Sequence, residues 1–374
     1  MMTRRTRLLR RASRWLGQIT LRLLTRTRIT GREHLQTPGP VIFAGNHAST
    51  FDALLALTLL PLETQLVGPG DFKLLWPANW VIDNVGLILA KRGSVDRDSL
   101  KQMLDVLKGG GRLALFPEGG TWEKPIDDVK SGVTYLSQAT GAAIVPIGFG
   151  GTYQVWRQIA RLRRPRVTVR IGAPLPPVTV SGDRARRQDE LQAAAVDLMW
   201  RIYDLLPPST QAHYDRLARL QFSGCLLLDS SLVAPPEVSL DALAELVSKP
   251  NLFSPLHKNA RLPVKPFLRP RQFFPAQQMR AAASALLDAF SAGDFAGYLE
   301  YRLGEDKADQ IRAALRAIVG VMDEAEKSKS IPLVNFTPLR PIGAVPTLAS
   351  SMNSKSLSSR SGSTASSAAV GSCG

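Results

Sequence analysis

A histidine and an aspartate five residues apart, in Gly45-Asn46-His47-Ala48-Ser49-Thr50-Phe51-Asp52, are the sharpest chemical feature of this 374-residue sequence. On one continuous helix the two side chains would point about 140° apart. They meet only if His47 lies on a loop and Asp52 in the first turn of the helix that follows. Val41–Ala44, just before, reads as a buried strand, and Thr50–Leu60 as a helix with Ser49 or Thr50 as a natural N-cap. So placed, the carboxylate bonds one ring nitrogen, fixes the tautomer and stabilises the imidazolium, and the other nitrogen is left to take a proton from an alcohol. An ordinary histidine titrates near about 6.5, which suits a general base at neutral pH. A plainer reading uses the same residues: Ser49-x-x-Asp52 is a capping-box variant, and His47 then belongs to an unremarkable loop.

The second feature is Leu115-Phe116-Pro117-Glu118-Gly119-Gly120-Thr121-Trp122, again just beyond a strand end. Paired glycines let a backbone approach a ligand, and their N–H groups can hold an oxyanion or phosphate. Glu118 can hold a hydroxyl or anchor the loop. Taken alone, the segment is also a polar turn.

The elements that must position these residues alternate between strand and helix from residue 40 to 172. Strands are expected at Val41–Ala44, Gln65–Val67, Leu87–Ala90, Leu113–Phe116, Ala143–Ile147 and Arg166–Ile171, with helices at Thr50–Leu60, Asp98–Leu107 and Val129–Thr140. That order predicts an α/β fold: a mostly parallel sheet flanked by helices, with ligands gathering beyond the strand C-terminal ends. Residues 3–29 read as an amphipathic helix, or two short ones, with Leu8, Leu9, Trp15, Leu16, Ile19, Leu23 and Leu24 at helical spacings and arginines elsewhere. Such a helix suits a bilayer interface; alternatively it caps the core and turns its arginines to water. Asp189–Leu206 closes the domain, and Pro207-Pro208 marks its end. Beyond it, helices at Asp241–Val247, Met279–Leu303 and Asp306–Glu326 make a mainly helical C-terminal extension. The expected parts are therefore a membrane-associating helix at 1–30, a catalytic domain at 31–206, an accessory region at 209–345 and a disordered Ser-rich tail at 346–374.

Composition narrows the classes. The net charge of +16 is unevenly spread: residues 1–40 hold ten arginines and one acid, Glu33, while 246–287 hold seven Lys or Arg and no acid. Charge so placed attracts a polyanion, an anionic bilayer or a nucleic acid. Two cysteines, Cys225 and Cys373, are too few for a disulfide framework or a thiolate metal site, and a reducing cytoplasm is the default expectation. No apolar run approaches the ~18 residues of a membrane span. Arg22, Arg26 and Arg28 argue against a signal peptide.

The His-x4-Asp of His47 and Asp52, with Phe116-Pro117-Glu118-Gly119 some 65 residues on, resembles the glycerolipid acyltransferases, among them the 1-acylglycerol-3-phosphate O-acyltransferases. Gly31-Arg32-Glu33-His34-Leu35, Gly86-Leu87-Ile88-Leu89-Ala90-Lys91-Arg92 and Ile144-Val145-Pro146-Ile147 resemble further family blocks, in order, over roughly residues 30–175. The resemblance implies that His47 deprotonates an acceptor hydroxyl, which attacks the thioester of acyl-CoA or acyl carrier protein, while Asp52 holds His47. It further implies that Glu118, Gly119 and Gly120 bind the acceptor, that Arg92 counters a phosphate through its planar fork, and that Pro146 shapes the acyl pocket. No metal is implied, and no cofactor other than the acyl donor itself. The implied acceptor is a lysophospholipid such as 1-acylglycerol-3-phosphate, met at the cytoplasmic face of an anionic bilayer.

One departure matters. Family members often follow Phe-Pro-Glu-Gly with Thr-Arg-Ser, and here Gly120-Thr121-Trp122 stand instead. The phosphate-binding arginine is missing, with Lys124 as a candidate substitute. The acceptor is therefore open to another lipid alcohol or a glycolipid. Two rivals to the transferase are a hydrolase using the same pair on water and a non-catalytic basic protein that docks on membranes or nucleic acid. No zinc spacing, helix-turn-helix or aromatic-studded basic strand supports the nucleic-acid version, and no nucleic acid is expected as a partner.

Overall fold

Val41–Gly45 is buried along its whole length and forms β2, at the centre of a seven-stranded sheet. The computed structural model describes residues 4–70, 84–90, 96–121, 123–183, 186–228, 231–232, 238–249, 252–253, 256, 261–269, 272–292, 295–327 and 333–339. Two units divide them: one spans Met1–Ala218 with Phe295–Gly304, the other Arg219–Asp294 with Glu305 onward.

In the first unit the strands are β1 (Arg26–Thr30), β2, β3 (Gln65–Pro69), β4 (Ile88–Ala90), β5 (Arg112–Leu115), β6 (Ala143–Gly150) and β7 (Arg166–Ile171). They lie in the order β1-β7-β6-β2-β5-β3-β4, parallel except where β6 meets β7. The mostly parallel sheet and all six expected strands are present, within a residue or two at most ends and with β6 running on to Gly150. Helices α1 (Arg4–Leu24), α2 (Thr50–Leu59), α3 (Arg97–Lys108), α4 (Gly132–Thr140), α5 (Val155–Ala160), α6 (Arg187–Asp204) and α7 (Pro208–Ala218) accompany the strands. Continuous apolar runs such as Val41-Ile42-Phe43-Ala44 are what a strand covered on both faces requires.

Three expectations are corrected here. The amphipathic helix stops at Leu24, where the N–H and Oγ1 of Thr25 both donate to Leu21 O. Residues 26–30 then form β1, pairing with β7 at the sheet edge. Their alternation of exposed arginine with half-buried residues is an edge-strand pattern hidden behind the leucine run. Pro207-Pro208 ends one helix and starts another: Pro208 is the first residue of α7, where a missing N–H costs nothing. The second unit is mainly helical, as expected, and holds a sheet that the sequence did not announce. Its helices α8 (Asp241–Ser248), α9 (Lys265–Leu268), α10 (Ala276–Ser291) and α12 (Glu305–Lys327) accompany an antiparallel sheet. That sheet has the order β10-β11-β8-β9, from Phe274–Pro275, Leu333–Leu339, Ser223–Leu228 and Ser231–Leu232. Ser223–Leu228 lacks alternation and Leu333–Leu339 contains Pro338, so neither announces a strand. The expected helix Met279–Leu303 is two, α10 and α11 (Tyr298–Leu303), and α11 belongs to the first unit. Cys225 is buried on β8.

Helix α1 is turned opposite to a soluble surface helix. Arg10, Arg14, Gly17 and Leu21 face the domain, and a Cβ at Gly17 would collide with Thr58 of α2. Leu8, Trp15, Leu16 and Leu23 are 60–65% exposed. The reading in which all the arginines meet water fails at Arg10, which is buried. Among the described residues no helix is long and apolar enough to cross a membrane.

Candidate active site

His47 follows the C-terminal end of β2 on the four-residue connection 46–49, and Ser49 caps α2. The Ser49 hydroxyl accepts from Phe51 N–H (3.2 Å), and the Asp52 carboxylate Oδ2 accepts from Ser49 N–H (2.7 Å). The same Oδ2 lies 3.3 Å from His47 Nδ1. The capping box and the histidine partnership, which the sequence offers as competing readings, coexist: the cap immobilises the carboxylate that the imidazole meets. Asp52 is fully buried, and its Oδ1 has no hydrogen-bond partner. The His47 side chain keeps 15% of its surface exposed. Its ring stacks on Phe116, with centroids 4.0 Å apart and planes 12° from parallel, and Phe116 in turn leans on Phe149.

The loop after β5 closes over this pair. Gly119 N–H bonds Phe116 O (2.9 Å), and Gly119 takes φ 70°, a turn that a side chain would strain. That turn brings Glu118 inward, where its Oε1 accepts from His47 N–H (2.7 Å) and from the Tyr214 hydroxyl (2.9 Å). Burial raises the Glu118 carboxyl from its ordinary 4.5 to about 7, against the opposing pull of the His47 N–H, the His47 charge and the Tyr214 hydroxyl. Tyr214 is pushed well above its ordinary value, by burial first and by Glu118 next, so it stays a donor at every working pH.

Asn46, to which the first motif gave no role, and Tyr214 and His213, which lie outside both motifs, complete the arrangement. Asn46 is fully buried; its Oδ1 accepts from Phe149 N–H (2.7 Å), and its Nδ2 donates to Phe149 O (3.0 Å) and to the Tyr214 hydroxyl (3.3 Å). The side chain thereby continues the β2–β6 ladder one step past Gly45↔Ile147, which lets the main chain leave the sheet at His47. Tyr214 and His213 arrive on α7, beyond the boundary read from the two prolines, so no sequence signal marked them. His213 stacks on Tyr153 and is lowered to about 4 by burial and then by Arg216, which makes it a neutral imidazole at pH 7. A narrow pocket is lined by His47, Ala48, Glu118, Lys124, His213 and Tyr214, among others. Among the sequence-assigned residues, His47, Asp52 and Glu118 converge here. Gly119 and Gly120 continue the turn away from Glu118. Pro146 pairs with Ala44 inside β6, its ring beneath Gly172 and outside this pocket's lining. Arg92 and Trp122 lie outside the described residues. Lys124, the candidate for the missing arginine, is buried and bonded to Asp128 (2.8 Å).

A sheet that presents a His–Asp pair at the C-terminal end of its central strand defines a class of α/β enzyme scaffold. Residues 26–150 match the family described as Acyltransferase. Among curated relatives, the chain is 32% identical over 109 residues to a lyso-ornithine lipid O-acyltransferase of Pseudomonas aeruginosa, covering 29% of this chain and 40% of that one. It is 27% identical over 131 residues to a chloroplastic 1-acyl-sn-glycerol-3-phosphate acyltransferase of Arabidopsis thaliana, covering 34% and 36%. The chain thus spans less than half the length of each. The crystal structure of a 1-acyl-sn-glycerophosphate acyltransferase, PlsC, from Thermotoga maritima is similar over 51% of this chain and 77% of that one, with 21% identity and a TM-score of 0.36.

Proposed function

We propose that the protein is an O-acyltransferase that works at a membrane surface, moving a fatty acyl group from acyl-CoA or acyl carrier protein to the hydroxyl of a lysolipid. The observation that carries this reading is the 3.3 Å approach of His47 Nδ1 to a fully buried Asp52 carboxylate, with the ring lining a pocket at the strand end. With Nδ1–H directed to Asp52, Nε2 is the basic nitrogen. It takes the proton of the acceptor hydroxyl as the oxygen attacks the thioester carbonyl. The tetrahedral adduct then collapses, the C–S bond breaks, and His47 returns the proton to the departing thiolate. Asp52 stabilises the imidazolium in between. Glu118 fixes the His47 backbone, and its unoccupied lone pairs meet the acceptor.

Membrane association rests on α1. At about 100° per residue, Leu8, Trp15, Leu16 and Leu23 fall within about 100° of arc, with Arg4, Arg11 and Arg22 along one border. All seven are exposed. An apolar stripe edged by guanidinium groups suits the cytoplasmic face of an anionic bilayer, as a peripheral attachment. Two acceptor chemistries appear in the names of the relatives, an aminolipid and a phosphate monoester. Asp128 already neutralises Lys124, and this favours a lysolipid with less negative charge than lysophosphatidate.

The test is acyl transfer from labelled acyl-CoA to a panel of lysolipids, with products identified by mass. His47→Ala is expected to lower the rate by about a thousandfold and to leave the thermal transition in place. A variant that transfers at the parent rate overturns the assignment.

A further inference from the structure

The turn between α5 and β7 carries a leucine that nothing in the fold explains. Leu162 is 96% exposed and sits at φ 55°, left-handed backbone that a branched side chain adopts only under constraint. Its N–H donates to Ile159 O (2.8 Å), which closes the turn and holds the side chain outward. Arg157, Arg161, Arg163, Arg164 and Arg166 surround it, all exposed, and no acid interrupts residues 154–166. A single exposed leucine is ordinary; a strained one at the tip of an arginine-ringed turn is not. Nor is the turn isolated. Arg164 donates to the main-chain oxygens of Arg22 and Thr25 (3.1 Å to the latter), which ties this corner to the end of α1, where Leu23 and Leu24 are also exposed. From the other side of the turn, Trp156 is 47% exposed and its indole N–H bonds Thr50 Oγ1 (2.9 Å), the first residue of the helix that carries Asp52.

We propose that the α5–β7 corner is a second bilayer contact, in which Leu162 enters the boundary between headgroups and acyl chains of an anionic membrane while Arg157, Arg161 and Arg163 meet lipid phosphates. The idea rests on the membrane-surface reading above and adds a contact to it. The charge fits anionic lipid, and the apolar tip separates lipid from a merely polyanionic partner, since a nucleic acid has no acyl layer to receive a leucine. With α1 as the first contact, a second one at this corner orients the unit on the membrane, with the start of α2 close to the surface that supplies lipid substrate.

The experiment is flotation of the full chain with vesicles of mixed phosphatidylcholine and phosphatidylglycerol. Leu162→Asp is expected to weaken binding roughly tenfold or more, the scale of one leucine side chain left unburied. Leu162→Gly removes the side chain and suits the left-handed backbone. It is therefore expected to weaken binding as well, with Tm unchanged or raised, and Leu162→Phe is expected to restore it. Vesicle binding unchanged in Leu162→Asp and Leu162→Gly, while Trp15→Asp abolishes it, overturns this contact and leaves the α1 contact standing. A wild-type chain that ignores vesicles, or that prefers duplex DNA at physiological salt, overturns both.

Discussion

Two buried ionisable side chains in the first unit, Arg10 and Glu118, are both hydrogen-bonded to neutral dipoles, and they are held differently. Arg10 is 2% exposed. Its Nε donates to Val85 O, one terminal nitrogen to Leu62 O and Thr64 O, and the other to Gly86 O and the Gln65 amide oxygen, at 2.7–3.1 Å. Those five bonds use every donor that a guanidinium has. Glu118 meets two donors, both on Oε1. A carboxylate has about four lone-pair sites, so roughly half stay unmet. Burial pulls both groups toward neutrality, yet a guanidinium starts far above any working pH and stays charged, while Glu118 is brought to about 7. The number of dipoles around a buried charge, together with its starting pKa, decides whether it serves as a fixed rivet or as a group that titrates. Arg10 rivets α1 to the domain; Glu118 titrates beneath the loop that carries His47.

Removing the rivet should have the larger effect. Arg10→Met leaves several buried carbonyl oxygens without donors and detaches α1 from the loops around residues 62–65 and 85–86. Loss of about 3–5 kcal/mol is expected, read as a lowered urea midpoint, and at every pH because the group never titrates. A loss below about 1 kcal/mol would mean that water replaces the guanidinium at no cost, and the comparison would fail on that side.

Glu118→Gln sharpens the other side through its pH dependence. The ordinary carboxyl titrates at 4.5 and the folded one at about 7. Between those values the folded protein keeps a proton that the unfolded chain has released. Stability from this group is therefore full below about 4.5 and is lost as the pH rises through about 7, by about 3 kcal/mol in all. The amide accepts the same two hydrogen bonds and does not titrate. Unfolding free energies measured at about pH 5 and about pH 8 should accordingly fall less for the variant than for the parent. Parallel curves would show that Glu118 is not the titrating group.

Much of this was legible in the sequence where the signal is local. The strand before His47, the cap at Ser49 and the turn at Gly119 rest on neighbouring residues, so the loop-then-helix geometry that lets His47 meet Asp52 followed from spacing and cap chemistry. Glu118 appeared as a possible loop anchor because a proline and two glycines flank it. Tyr214 was not legible. It reaches Glu118 from 96 residues away, on a helix whose proline start looks the same in sequence as a helix end. Asn46 stood inside the quoted motif, but its role depends on β6 lying beside β2 in register, which no spacing within residues 45–52 encodes. The orientation of α1 was illegible for a related reason. Periodicity separates an arginine face from a leucine face, but only a close approach such as Gly17 to Thr58 says which one is turned inward.

The smallest expected effect belongs to Tyr214→Phe, and it tests whether partner number sets the behaviour of Glu118. The phenol donates to Glu118 Oε1 and accepts from Asn46 Nδ2. Without it, Glu118 keeps one donor and Asn46 loses one acceptor, at a cost of about 1–2 kcal/mol. More telling is the direction in pH. Tyr214's hydrogen bond holds the Glu118 carboxyl down, so its removal should raise that group further, and the pH window over which stability declines should move upward from about 7. The thermal unfolding series used for Glu118→Gln reads this directly. Acyl transfer should fall much less than in His47→Ala, because the His47–Asp52 contact is untouched. A window that stays in place would mean that desolvation alone sets the Glu118 carboxyl, and that Tyr214 fills space beneath the loop and does not tune it.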